Sequence, residues 1–236
     1  MNFENIFIIG EGRVAKACQK IAKEFFNQEV QRVENKNFKE LDIFFASLKN
    51  SLIISANNFY IFKKPCVTNN TIINYHNALL PKHRGLNAHI WAIFEGDEKT
   101  GITWHKVDGG LDTGAIILQK EFSLDESFTA LKLLRYQHDL AIASFKECLE
   151  KLILAQFTFQ KNGGGYHCKT LPNGGFLELC WEKEKISRFL RAMQSDKKKP
   201  LLRLLNRELE VLFYEMNEAK LSLKLSQNIN LEITKE

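Results

Sequence analysis

The sequence predicts an α/β fold: a Rossmann-like, mostly parallel sheet flanked by helices, followed by a small C-terminal α+β appendage. Three observations carry this expectation. Short β-type apolar runs alternate with stretches of helical period through the first half of the chain. A glycine turn, Gly10-Glu11-Gly12-Arg13-Val14-Ala15, lies where the first apolar run gives way to the first helical one. The run Gly163-Gly164-Gly165 is the clearest break, separating a domain over 1–160 from an appendage over 161–236.

The elements follow in order. Asn5–Ile9 reads as a buried strand, and Arg13–Phe26 as a helix whose apolar positions are Val14, Ala17, Ile21 and Phe25. Glu29–Val33 is a second strand, Phe38–Leu48 a helix, Ser51–Ala56 a third strand and Thr71–Asn74 a fourth. Ala88–Phe94 is helical and stops at Gly96. Two strands, Gly101–Lys106 and Ala115–Phe122, flank a glycine-rich loop, and Ser127 or Thr129 caps a long helix running to about Leu154. In the appendage a strand is expected near Phe176–Trp181, a helix near Lys183–Met193, and strands near Leu201–Leu204 and Glu208–Phe213.

Composition narrows the class. With 236 residues, 44% of them hydrophobic, the chain can bury a full core without staples. No apolar run approaches the roughly 20 residues of a membrane span, and no basic-then-apolar leader opens the sequence. Five cysteines (Cys18, Cys66, Cys148, Cys168, Cys180) form no C-x-x-C pair, which points to reduced thiols and a cytoplasmic setting. The net charge of +5 is mild, and its densest cluster is only Lys197-Lys198-Lys199. A solvated loop accounts for that run, so neither a nucleic-acid nor a membrane partner is expected. The six histidines show no metal-ligand spacing, and no metal is expected.

The candidate chemistry lies in two segments. Asn74-Tyr75-His76 closes an apolar strand, so Asn74 and His76, two residues apart, share a face. An amide donor beside an imidazole suits acyl transfer: the amide stabilises a developing oxyanion and the ring handles a proton. Taken alone, the same pair could simply cap a turn. Asp108-Gly109-Gly110-Leu111-Asp112-Thr113-Gly114 lets the backbone bend sharply and approach a flat ligand; Asx turns in a hairpin loop are the plainer reading. The functional reading sets Asp112 beside His76, orienting the ring and favouring its protonated form. His105 either lines the same cavity or is a satisfied core residue. Gly10 and Gly12 fit phosphate binding or a tight structural turn equally well, and Asp42, the nearest acid for a ribose, falls in a helix.

These residues line up with a known family. Asn74-Tyr75-His76-Asn77-Ala78-Leu79-Leu80-Pro81 with Arg84-Gly85 resembles the folate-dependent formyltransferase stretch N-x-H-x-S-L-L-P-x-x-R/K-G, with Ala78 in place of the serine. Thr100-Gly101-Ile102-Thr103-Trp104-His105 and Asp112-Thr113-Gly114 resemble its T-G-x-T-x-H and D-x-G elements. The resemblance, close from Ser51 to Phe122, implies the formyltransferase fold, 10-formyltetrahydrofolate as donor, and Asn74, His76 and Asp112 as a catalytic trio. It also implies a pterin pocket between Phe59-Tyr60-Ile61-Phe62 and Val107-Asp108-Gly109 with Leu111, walled by Leu79.

The run from Arg84 to Ile93 and the tail around Tyr166–Gly175 and Ile186–Ala192 resemble enzymes that N-formylate nucleotide-linked amino sugars. That implies a dTDP- or UDP-amino sugar as acceptor, with Arg84, Asn87, Gly10 and Gly12 as substrate contacts. Other amines (glycinamide ribonucleotide, aminoacyl-tRNA, an amino acid), a formyltetrahydrofolate hydrolase and a non-catalytic nucleotide-binding module are the alternatives. The appendage serves either a homodimer contact or closure over the substrate.

Overall fold

A computed structural model describes residues 2–34, 37–161, 163–194, 199–217 and 220–234. The chain forms two compact units. The first comprises the chain up to Gly85, Thr100–Phe122 and Arg135–Tyr166; the second comprises Leu86–Lys99, Ser123–Leu134 and everything from His167 on.

In chain order the elements are β1 (Asn5–Ile9), α1 (Gly12–Phe26), β2 (Val30–Val33), α2 (Phe38–Ser47), β3 (Ser51–Ser55), α3 (Lys64–Asn69), β4 (Thr71–His76), β5 (Arg84–Gly85), α4 (Ala88–Glu95), β6 (Lys99–Lys106), β7 (Ile116–Ser123) and α5 (Ala130–Ile153). After these come β8 (Tyr166–His167), β9 (Phe176–Leu177), α6 (Lys183–Ala192), β10 (Leu201–Leu204), β11 (Arg207–Met216), β12 (Lys220–Leu225) and β13 (Asn230–Thr234).

The first unit is built on one sheet of order β2-β1-β3-β4-β6-β7. β1 is parallel to both β2 and β3, and β3 is parallel to β4. β6 runs antiparallel to β4, so the sheet as a whole is mixed, with a parallel half as expected. β1 and β3 read as continuous apolar runs because both faces of the sheet are covered. Ile6, Ile8, Leu52 and Ile54 pack with Val14 and Cys18 of α1 and with Ala141, Phe145, Leu149 and Leu152 of α5. The alternate residues Phe7, Ile9 and Ile53 pack on the opposite side with Leu41 and Phe45 of α2, Tyr60 and Cys66. Period-two alternation thus splits each strand between two cores.

The second unit holds a sheet of order β13-β12-β11-β10-β9, parallel only between β9 and β10. α6 lays Ile186, Phe189 and Leu190, with Met193 just after it, against Leu202, Leu209, Val211, Leu221, Leu223 and Leu225 of this sheet. Burying such a set, at about 25 cal/mol per Å² of apolar surface, is what fixes the helix to the sheet.

Several expectations need correction. The strand expected over Phe176–Trp181 ends at Leu177, because the chain turns and Trp181 N–H donates to the carbonyl of Glu178 at 3.3 Å. The strand expected over Glu208–Phe213 extends to Met216 and is followed by β12 and β13, which were not anticipated. Helix α3 was also missed: its six residues bury only Cys66 and start with a proline in the first turn, so no apolar period is visible. Thr129, not Ser127, opens α5: its carbonyl accepts from Leu133 N at 2.8 Å. The five cysteines are unbridged. Lys197 and Lys198 lie outside the described residues, and Lys199 is exposed. No helix among the described residues is long and apolar enough to cross a membrane.

Candidate active site

The site is assembled where β4 ends. Antiparallel pairing of β4 with β6 sets Asn74 opposite His105 and His76 opposite Thr103. Parallel pairing with β3 sets Ser55 beside Asn74. These two registers place five polar side chains on neighbouring strands of a sheet whose centre is otherwise largely apolar.

A chain of hydrogen bonds fixes their orientation. Ser55 Oγ donates to Asn74 Oδ1 at 2.7 Å and accepts from Asn58 Nδ2 at 3.3 Å. His105 Nδ1 faces the carbonyl of Lys106 at 2.8 Å. A carbonyl only accepts, so this nitrogen carries the ring proton, and in the neutral ring Nε2 is left as an acceptor. Asn74 Nδ2 lies 3.1 Å from that Nε2 and donates to it. The amide therefore has its oxygen and one N–H committed, and its second N–H is left to point elsewhere.

Asp112 approaches from the loop after β6. Its Oδ1 is 3.5 Å from His105 Nε2, its Oδ2 is 3.6 Å from His76 Nδ1, and Oδ2 also accepts from the backbone N–H of Gly85 at 2.8 Å. Asn74, His76 and Asp112 are thus gathered around His105. Asp112 sits in the left-handed region at φ 52°, one of the few conformations an Asx residue tolerates without glycine. Two residues on, a Cβ on Gly114 would lie 1.8 Å from the carbonyl of Lys106, so only glycine lets the loop return so tightly to β6.

The electrostatics follow from burial and charge. Burial raises the Asp112 carboxyl; the Gly85 N–H opposes this at rest, and His105 and His76, when their rings carry a proton towards it, hold it at about 2. His76 behaves in the opposite way to the expectation from Asp112 alone. Its side chain is 5% exposed. Burial lowers its pKa, and the opposing pull of Asp112 does not restore it. The resting ring is neutral. Its Nε2 is 2.9 Å from the carbonyl of His83 and must carry the proton, which leaves Nδ1 bare and facing Asp112. Asp112 does favour the protonated ring, as expected, but desolvation is the larger effect and lowers the His76 pKa overall.

The segment after His76 is pinned from several sides. Thr103 Oγ1 donates to the carbonyl of Ala78 at 2.7 Å and accepts from Leu80 N at 3.1 Å. Gln119 Nε2 donates to Thr103 Oγ1 and to the carbonyl of Leu80. Gln137 Nε2 donates to the carbonyls of Asn77 and Gly101, both at 2.9 Å. Leu79 packs over Gly101, where a Cβ would meet its Cδ2 at 2.7 Å.

The residues assigned to a cofactor pocket divide in two. Tyr60 is buried in the α2-side core, with Phe62 and Val107 packed against the same cluster, whereas Phe59 and Ile61 are 66% and 61% exposed. The two loops therefore share one apolar support while leaving apolar side chains uncovered. Asp108 shapes its own loop, accepting from Gly110 N at 3.0 Å and Thr113 Oγ1 at 2.6 Å, as the Asx-turn reading expects. Gly109 is exposed and Leu111 half-buried.

Of the substrate candidates, Arg84 donates to Gln160 Oε1 at 3.4 Å, and its Nε is buried without a hydrogen-bond partner among the described residues. Asn87 belongs to the second unit, in the left-handed conformation at the start of α4. Gly10 is explained by packing, since a Cβ there would lie 1.8 Å from the carbonyl of Ala56. Gly12 opens α1, with nothing within 4 Å of a Cβ. Asp42, on α2, accepts from Tyr60 Oη at 2.7 Å. Sequence reasoning noted His105 without giving it a role, and passed over Ser55, the Gly85 N–H, the His83 carbonyl and Gln160.

Comparison with known proteins bears on the family and the fold. The family described as formyl transferase matches residues 10–148. GDP-perosamine N-formyltransferase of Brucella melitensis is 38% identical over 122 residues, covering 51% of this chain and 47% of the relative, so the match spans about half of that protein's length. Among solved structures, a 4-N formyltransferase from Francisella tularensis superposes with a TM-score of 0.70 at 19% identity over 91% of this chain and 98% of that one. HypX from Aquifex aeolicus, in complex with tetrahydrofolic acid, gives 0.71 at 17% identity over 98% of this chain and 46% of its own. At such identities the two structures establish a shared fold.

Proposed function

This chain belongs to the formyl transferase family, and we propose that it moves the formyl group of 10-formyltetrahydrofolate to the amine of a nucleotide-linked amino sugar. The observation that carries the proposal is the meeting of Asn74, His76 and Asp112 around His105.

The donor supplies an activated formyl carbonyl on an arylamine nitrogen. The residues present suit a flat, partly apolar group: Phe59 and Ile61 offer uncovered apolar surface beside Tyr60, and Leu79, Val107 and Leu111 are half-buried around the second loop. The exposed backbone of Asp108 and Gly109 can hydrogen-bond a heterocycle edge.

Asn74 presents its uncommitted N–H to the carbonyl oxygen as charge gathers there, a contribution typically worth about 2.7–4 kcal/mol. His76 takes the proton of the attacking amine at Nδ1, the nitrogen that is bare at rest. Asp112, 3.6 Å away, then stabilises the imidazolium that forms. His76 finally returns that proton towards the departing nitrogen. A neutral resting His76 fits a proton acceptor better than a permanent oxyanion donor.

For the acceptor, the support is the GDP-perosamine relative and the Arg84–Ile93 stretch. Arg84, half-buried and cationic at the start of that stretch, suits an anionic group of the acceptor. The test is incubation with 10-formyltetrahydrofolate and a panel of GDP-, dTDP- and UDP-amino sugars, read by mass spectrometry for a product heavier by one formyl group. Reaction with glycinamide ribonucleotide or charged tRNA and with no sugar would refute the acceptor assignment. Formate release without any acceptor would identify a hydrolase instead.

A further inference from the structure

We propose that Gln160 is a positioning residue for Asp112, clamping the turn that carries the carboxylate and joining it to the Arg84–Gly85 segment that binds the same carboxylate. This rests on Asp112 acting in the reaction proposed above.

Gln160 lies 48 residues from Asp112, in a stretch without secondary structure after α5. Its Nε2 donates to the carbonyl of Asp112 at 2.9 Å and to that of Gly114 at 2.8 Å. One amide nitrogen therefore uses both of its protons on the two ends of a single turn. Its Oε1 accepts from Arg84 Nη2 at 3.4 Å. The next residue, Gly85, donates its backbone N–H to Asp112 Oδ2 at 2.8 Å, and Arg84 N donates to the carbonyl of Gly165 at 2.9 Å. Main chain and side chain of Asp112 are thus held from one side by a connected set of bonds.

The clamp has something to hold. Asp112 is a non-glycine residue at positive φ, and its carboxylate sits at 3.5 and 3.6 Å from the two imidazoles. Both distances are at the loose end of the range over which the carboxylate can meet a protonated imidazole, so a small rotation of the turn would carry it out of reach. A misplacement of about 1 Å at a reacting group can cost on the order of a hundredfold in rate. Without Gln160, two carbonyls on the same turn lose their donor and the turn gains freedom about Asp112. Glutamate at this position could not replace it, since a carboxylate has no donor and would face two carbonyl oxygens.

The experiment compares wild type, Gln160→Ala and Gln160→Glu, each also in an Asp112→Asn background. Hydrogen–deuterium exchange over residues 107–115 is measured alongside single-turnover formyl transfer. The expected result is faster exchange in that segment in both Gln160 variants. The rate is expected to fall by about tenfold to a hundredfold with KM within about threefold, and Gln160→Ala should cause no further loss once Asp112 is asparagine. Unchanged exchange, a near-normal rate, or the same loss in the Asp112→Asn background would overturn the proposal. If wild type transfers no formyl group to any acceptor, the functional reading falls on its own, and the exchange data still decide whether Gln160 restrains the turn.

Discussion

Replacing Thr103 by valine removes one hydroxyl from the centre of the first unit and should be costly out of proportion to its size. Thr103 is wholly buried, and its Oγ1 serves Ala78 O, Leu80 N and Gln119 Nε2. Valine fills nearly the same volume, so no cavity opens. Gln119 keeps its bond to the carbonyl of Leu80 at 2.8 Å, which leaves two orphans, the Ala78 carbonyl and the Leu80 N–H. At about 1–3 kcal/mol for each buried group left unpaired, the loss is about 2–6 kcal/mol. The assay is urea unfolding followed by tryptophan fluorescence, with Trp104 wholly buried next in sequence. Because residues 77–81 follow directly on His76, turnover should fall as well. A stability loss below about 1 kcal/mol would refute the reasoning, because it would mean that the two backbone groups find other partners at no cost.

Other outcomes follow from the same geometry. Asn74→Ala removes the free amide N–H and should lower kcat by about a hundredfold to a thousandfold in single-turnover assays, with little change in the unfolding midpoint. Gly114→Ala would place a Cβ 1.8 Å from the Lys106 carbonyl, so the Asp112 loop must shift; both stability and turnover should drop, as unfolding and kinetics would show. The depressed pKa of His76 makes stability depend on pH. Below about pH 6.5 the unfolded chain binds a proton that the buried ring resists, so stability should fall with pH through that value. Comparing unfolding at pH 7.5 and pH 5.5 for wild type and His76→Gln checks this, and the glutamine variant should lose that component.

Much of the fold was legible. β1, β3 and β4 declare themselves as short apolar runs, and α1 and α5 show clean helical spacing, because these elements are held by the cores they bury. The proposed trio of Asn74, His76 and Asp112 comes from ordered motifs; the structure brings the three near one another and supplies physical reasons for some of the motifs' other letters: Gly101 and Gly114 are close approaches, and Thr103 pins the 78–80 backbone. The central place of His105 depends on the β4–β6 register, which no local pattern encodes. The charge of His76 was misread because a sequence shows the neighbouring aspartate but not the depth of burial. Gln160 was invisible, lying in an aperiodic stretch far along the chain from its partners. β12 was missed in spite of its pattern: Lys220-Leu221-Ser222-Leu223-Lys224-Leu225 alternates cleanly and buries all three leucines.

The most direct test of the account is single-turnover formyl transfer by wild type, His76→Ala, Asp112→Asn and the double variant, with folding verified by circular dichroism. If the imidazole and the carboxylate act as one unit, each single change should cost at least about a hundredfold and the double change little more than the worse of the two. Near-normal transfer by either single variant, or losses that simply multiply, would contradict it.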